Sequence, residues 1–134
     1  MKSGFGIMVV NRANPKSTAS REGVVLTKAT IRASEKLAIS QKALGNIIGL
    51  SEPVVSRMKN GEFVIGRGKP FELAALFLRL YRSLDAIVGG DEAAARKWMR
   101  SSNIALNGAP IDLIQKVYGL THVVQYLDSK RAVI

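Results

Sequence analysis

The 134-residue chain contains no cysteine, which excludes a disulfide framework, a thiolate nucleophile and a Cys-ligated zinc site. It contains one histidine, His122, which argues against a histidine-based metal site. Aromatic residues make up only 6% of a chain that is 47% hydrophobic, which points to a core of Leu, Ile, Val and Ala and favours helices. Long apolar runs are missing. The run nearest the start, Phe5 to Val10, is six residues, too short for the core of a signal peptide or for a bilayer span. A soluble cytoplasmic protein with no membrane association is the expectation.

Acidic residues are scarce too, with 10 Asp and Glu against 20 Lys and Arg and a net charge of +10. The excess is uneven. Residues 1–70 hold 12 basic and 4 acidic side chains, net +8, whereas residues 71–134 hold 8 and 6, net +2. A basic first half beside a nearly neutral second half suggests nucleic-acid contact in the one and protein contact in the other. A merely soluble basic surface is the alternative.

What is present is helical punctuation. Residues 1–22 lack sustained periodicity and read as a flexible basic arm. From Val24 to Ile39, Val25, Leu26, Ala29, Ala33, Leu37 and Ala38 recur at three- and four-residue steps, as the inner face of a helix requires. Ser40 is placed to cap a second helix, Gln41 to Gly49, with Leu44, Ile47 and Ile48 inward. Ser51 can cap a third that carries Pro53 in its first turn and stops at Asn60-Gly61. Residues 62–70 read as a loop. Phe71 to Val88 carries an apolar face (Leu73, Leu76, Phe77, Leu80, Tyr81, Leu84, Ile87, Val88) broader than a surface helix needs, so burial on more than one side follows. Asp91 can cap a short helix to Arg100. Pro110 suits the start of another with Leu113, Ile114 and Val117 inward, and Gly119 punctuates before a last helix, Leu120 to about Lys130, with Val123, Val124 and Leu127 on one face.

The stretch Ser40 to Gly61 meets the demands of a helix-turn-helix, in which two short helices cross closely and the second enters the major groove. Gly45 and Gly49 supply smallness at the crossing and the turn, and Leu44, Ile48, Leu50, Val55 and Met58 take the buried positions. Ser51, Glu52, Pro53, Ser56, Arg57 and Asn60 remain exposed on the third helix. Arg57 can bond guanine O6 and N7 in parallel, and Ser56 adapts to several bases or to phosphate. Gln41, Lys42 and Lys59 sit where helix ends approach phosphates. A ligand-free three-helix bundle is the structural alternative.

Ile39-Ser40-Gln41, Gly49-Leu50-Ser51 and Val55-Ser56-Arg57 resemble the Xre-like helix-turn-helix family of bacterial and phage regulators, with Gly45 where that family more often has alanine. The second half narrows the likeness. Leu76 to Leu84, Trp98-Met99-Arg100, Asn103, Leu106-Asn107-Gly108, Pro110 to Ile114, Gly119-Leu120 and Tyr126-Leu127-Asp128 resemble the Xre/MbcA/ParS antitoxin family, the likeness spanning roughly residues 24–131. The resemblance implies a C-terminal toxin-binding domain whose usual partner is a RES-domain toxin that consumes NAD.

The expectation is therefore an all-α protein: arm 1–22, helix-turn-helix bundle 23–69, and a small helical dimerisation and toxin-binding domain 70–134. It would bind operator DNA as a homodimer, repress its own operon, and inhibit a RES-domain toxin. Candidate toxin contacts are Trp98 and Tyr126 as amphipathic aromatic anchors, Asn103 and Asn107 in the loop, and a charged tip of Asp128, Lys130 and Arg131. Each has a plainer structural reading: Trp98 as core, the Asn-Gly segment as a turn, the last helix as closure of the domain. No enzyme activity, cofactor or metal is implied, because Gly61 to Arg67 lacks the Lys and the following Ser or Thr of a phosphate loop and His122 has no partner at an informative spacing. The alternatives are a phage-type repressor whose C-terminal half only dimerises, and a scaffold bundle that binds any polyanion weakly.

Overall fold

The computed structural model describes residues 20–132. The expected arm lies outside the described residues up to position 19. Seven helices make up the described part: α1 (Arg21–Lys36), α2 (Gln41–Ile48), α3 (Glu52–Lys59), α4 (Lys69–Ile87), α5 (Glu92–Arg100), α6 (Pro110–Leu113) and α7 (Val117–Ala132). The all-α class holds. Strand-like pairing among the described residues is limited to one isolated bridge, Asn103 with Gly108. Among these residues no helix is long and apolar enough to cross a membrane.

Helix starts follow local chemistry. Ser40 Oγ accepts from Ala43 N–H at 3.0 Å, Ser51 Oγ from Val54 N–H at 3.4 Å and Asp91 Oδ1 from Ala94 N–H at 3.0 Å, while α4 and α6 begin with Pro70 and Pro110 in their first turns. Ser20 caps α1 through Gly23 N–H at 2.9 Å, so this helix begins at Arg21, three residues before the apolar periodicity suggests.

The buried face of α1 also differs from the expected one. Val25 is 62% exposed and Ala38 is exposed, whereas Gly23, Thr27, Thr30, Ala33, Ser34 and Leu37 are buried. The cause is the loop before α4. Thr27 Oγ1 donates to Gly23 O at 2.7 Å and accepts from Ile65 N–H at 2.9 Å, and a Cβ at Gly23 would lie 2.7 Å from the Ile65 carbonyl oxygen. A polar threonine and a side-chain-free glycine are what admit that loop, and Ile65 buries itself on them.

Helix α4 is the organising element. Leu73, Ala74, Phe77, Leu78, Leu80, Ser83 and Leu84 are buried along it, and it packs against α1 and α2 as well as along α7. The breadth of its apolar face is thus used within the chain. Helix α3 rests on α1 and α2, and α5, α6 and α7 follow in contact with one another.

The segment after Pro110 departs from expectation in two ways. Helix α6 is a single turn, so Val117 starts α7 and is 57% exposed rather than inward, while Ile114 is fully buried. Gly119 does not end a helix; it sits buried in the first turn of α7, where a Cβ would fall 2.0 Å from the Leu113 carbonyl oxygen. It permits close approach rather than punctuating.

Candidate nucleic-acid interface and partner-binding face

The turn between α2 and α3 is built around Gly45 and Gly49. Gly49 takes the left-handed conformation (φ 76°), and Gly45 O accepts from Gly49 N–H at 2.8 Å and Leu50 N–H at 2.9 Å. A Cβ at Gly45 would lie 2.5 Å from Leu50 O, so smallness at the crossing is a steric requirement here. Leu44, Ile47, Ile48, Val55 and Met58 are buried and Leu50 is half-buried, matching the helix-turn-helix pattern.

This packing turns one face of α3 outward. Glu52, Pro53, Arg57 and Asn60 are exposed, Ser56 is half-buried, and at the start of α2 Lys42 is exposed with Gln41 half-buried. Two candidates carry structural duties as well: the Ser51 hydroxyl caps α3, and Asn60 is its C-terminal cap residue. Arg57 lies 6.0 Å from the Phe63 ring centroid, a contact that orients the guanidinium without consuming its donors. Lys59 Nζ sits 3.8 Å from the Glu35 carboxylate.

Lys28 and Arg32 of α1 are exposed cations that sequence reasoning did not single out. They line, with Lys59 and Glu35, a cleft of about 240 Å³ beside the end of α3. Their four-residue spacing was the available signal, but only the packing of α1 on α3 shows that the basic row and Lys59 share a surface. Such a row suits a phosphate backbone.

In the C-terminal half the candidate residues fall into three groups. Trp98 of α5 and Tyr126 of α7, both half-buried, stack at 6.5 Å between centroids with a 16° interplanar angle, and Lys130 Nζ lies 5.3 Å from the Tyr126 ring. Asn103 closes its loop: its N–H donates to Gly108 O at 3.0 Å and its Oδ1 accepts from Leu106 N–H at 3.1 Å, while Asn107 is exposed with φ 63°. Asp128 is not part of a free charged tip. Its carboxylate meets Arg79 at 2.7 Å and accepts from Ser83 Oγ at 2.9 Å, and Arg131 Nη1 donates to the same hydroxyl at 3.4 Å. Lys130 points to the aromatic pair instead.

The halves are latched together by contacts that sequence reading missed. Arg96 Nη1 donates to Lys36 O at 3.1 Å and Arg100 Nη1 to Leu37 O at 3.0 Å, with Arg100 Nη2 reaching Ala38 O. These are the carbonyls at the end of α1, where Ala38 adopts a left-handed φ of 55° that favours glycine. Asn46 of α2 donates to Gln115 Oε1 at 2.8 Å.

Comparison with known proteins agrees with this geometry in both halves. The family model of the antitoxin Xre-like helix-turn-helix domain matches residues 16–79, and that of the antitoxin Xre/MbcA/ParS C-terminal toxin-binding domain matches residues 83–132. The chain belongs to the Xre/MbcA/ParS antitoxin family. Among solved structures it is similar to a chain of the M. tuberculosis MbcT–MbcA toxin–antitoxin complex, with a TM-score of 0.62 and 23% identity over 82% of this chain and 96% of that one. At that identity the likeness concerns the fold. No curated protein matches the sequence. In this antitoxin both matched regions end inside α4, one at Arg79 and the other starting at Ser83, so a single continuous helix joins them.

Proposed function

We propose that this antitoxin binds and inhibits an NAD-consuming RES-domain toxin through its C-terminal helices and represses its own operon by inserting α3 into operator DNA. The observation that carries the reading is the pairing, across α4, of an outward-facing helix α3 bearing Arg57 with a region matching a toxin-binding domain. On the DNA side, Arg57 and Ser56 read base edges, with Glu52, Pro53 and Asn60 flanking them, while Gln41, Lys42, Lys59, Lys28 and Arg32 hold phosphates. On the toxin side, the C-terminal helices α5 to α7, with the aromatic pair Trp98 and Tyr126, cover the cleft that holds NAD. The antitoxin acts in the cytoplasm, where operator DNA and NAD are both present.

The proposed assembly is a homodimer, because paired modules meet half-sites about 34 Å apart. Its seam cannot be the broad face of α4, whose Phe77, Leu80 and Leu84 are filled within the chain. The open alternative is an apolar groove of about 440 Å³ between α1 and α4, lined by Val25, Leu26, Ala29, Phe71 and Leu78 and flanked by Arg21 and Arg82.

The test is co-expression. A RES-domain protein encoded beside this gene should deplete cellular NAD and arrest growth, and this chain should restore both. A promoter fusion should show repression that is lost with Arg57→Ala. Arrest that this chain does not relieve overturns the antitoxin reading.

A further inference from the structure

Four large apolar side chains stand exposed among the described residues, and three of them, Ile104, Val117 and Tyr118, lie within the toxin-binding match. A lone exposed apolar residue is ordinary. Ile104 is unusual because it is 99% exposed on a loop that hydrogen bonds hold rigid. Asn103 and Gly108 exchange backbone bonds at 3.0 and 3.2 Å, Asn107 N–H donates to Asn103 O at 2.8 Å, and Leu106 anchors the loop in the core. A polar residue at 104 would leave every one of these bonds intact.

The loop and the start of α7 share one end of the molecule. A Cβ at Gly108 would touch the Leu113 side chain at 3.3 Å, and the Leu113 carbonyl packs directly on Gly119. Tyr118 (77% exposed) and Val117 (57% exposed) immediately precede that glycine. Close to these residues along the chain, Asn107, Lys116 and His122 are exposed and polar. An apolar centre with a polar margin is the composition of an interface that excludes water from a few anchors.

We propose that the toxin docks on this end, with Ile104 and Tyr118 as its anchors and Val117 beside Tyr118 in the chain. The inference rests on the toxin-binding reading above and specifies where the affinity resides. The partner surface it fits is a protein recess that is apolar where Ile104 enters and offers an acceptor to the Tyr118 hydroxyl. Helix α7 rises about 1.5 Å per residue, which sets Tyr118 roughly 20 Å from Arg131. The chain's tail therefore lies outside the anchoring patch. Near the tail, moreover, Asp128 is already engaged by Arg79 and Ser83.

The test titrates the purified full chain with the RES-domain protein encoded beside its gene, comparing wild type, Ile104→Ser, Tyr118→Ser, the double variant and a chain ending at Asp128. Each single substitution should raise Kd about tenfold or more and the double variant further, while melting temperature and operator binding stay at wild-type values. The shortened chain should remain within about threefold of wild type, as removal of contacts outside the anchoring patch implies. A double variant that binds like wild type overturns the inference, as does a loss confined to the shortened chain. Light scattering in which the double variant converts a dimer to monomers, with toxin affinity unchanged, reassigns the face to a second copy of this chain and also overturns it. Wild type that does not bind the RES-domain protein overturns the toxin reading itself, and the docking site with it.

Discussion

Gly119→Ala sets two known effects against each other. On helix propensity alone the change favours α7 by at most about 0.8–1 kcal/mol, and by less in a first turn. Against this, the new Cβ would lie 2.0 Å from Leu113 O and 2.9 Å from Leu113 C, where real Cβ atoms keep beyond 3.0 Å. The obstacle is backbone, so no rotamer change relieves it, and α6 must move from α7 by about 1 Å. Ile114, Leu120 and Val123, all fully buried at this junction, lose contact as it opens. Overpacking of this kind costs about 1–3 kcal/mol or somewhat more. With the steric term at the upper end, the net loss is about 2 kcal/mol, which for a domain of this size lowers Tm by ~8 °C. Urea unfolding should show a lower midpoint with unchanged m. Gly66→Ala is the control, because a Cβ there meets nothing within 4 Å and φ is not in the left-handed range. It should leave stability unchanged or raise it by about 0.4–1 kcal/mol. If Gly119→Ala is as stable as wild type, the close approach of Leu113 to α7 is not a constraint, and the reasoning fails.

Arg57→Ala should weaken operator binding by about 1–3 kcal/mol and relax preference at one base position, whereas Lys59→Ala should weaken all duplexes alike and reduce the slope of log K against log salt by about one. Selection from a randomised operator pool, repeated at several salt concentrations, separates the two. Arg100→Ala removes the donors that hold Leu37 O and Ala38 O, and should cost about 1–2 kcal/mol in denaturant unfolding. Arg100→Lys, which keeps the charge without the planar fork, should recover less than half of that. Val25→Glu places a charge in the α1–α4 groove and should yield monomers at micromolar concentration with Tm unchanged; a dimer that survives it moves the seam elsewhere.

Much of the helix-turn-helix was legible because its signals are local. A serine three residues before an amide, a proline in a first turn and a glycine at a turn act within one or two helical turns, so residue order alone states them. The starts of α2, α3 and α5 and the buried set Leu44, Ile48, Val55 and Met58 follow from such signals. Family likeness, too, resides in residue order, through motifs spread across both halves. Several of the misplaced features depend on partners far along the chain. Thr27 is buried because Ile65, 38 residues on, needs an acceptor for its N–H, and that contact rotates α1 until Val25 faces water. Asp128 is tied to Ser83, 45 residues away, and Arg100 to Leu37, 63 away. Gly119 looked like a stop because a glycine between helical patterns usually is one; only the passage of Leu113 O beside it reveals a contact. Charge and periodicity determined that this chain is helical and basic in its first half. Which side chains stay free for DNA or toxin was decided by tertiary structure, because a side chain held by a distant part of the chain must give up that hydrogen bond or ion pair before it can meet a ligand.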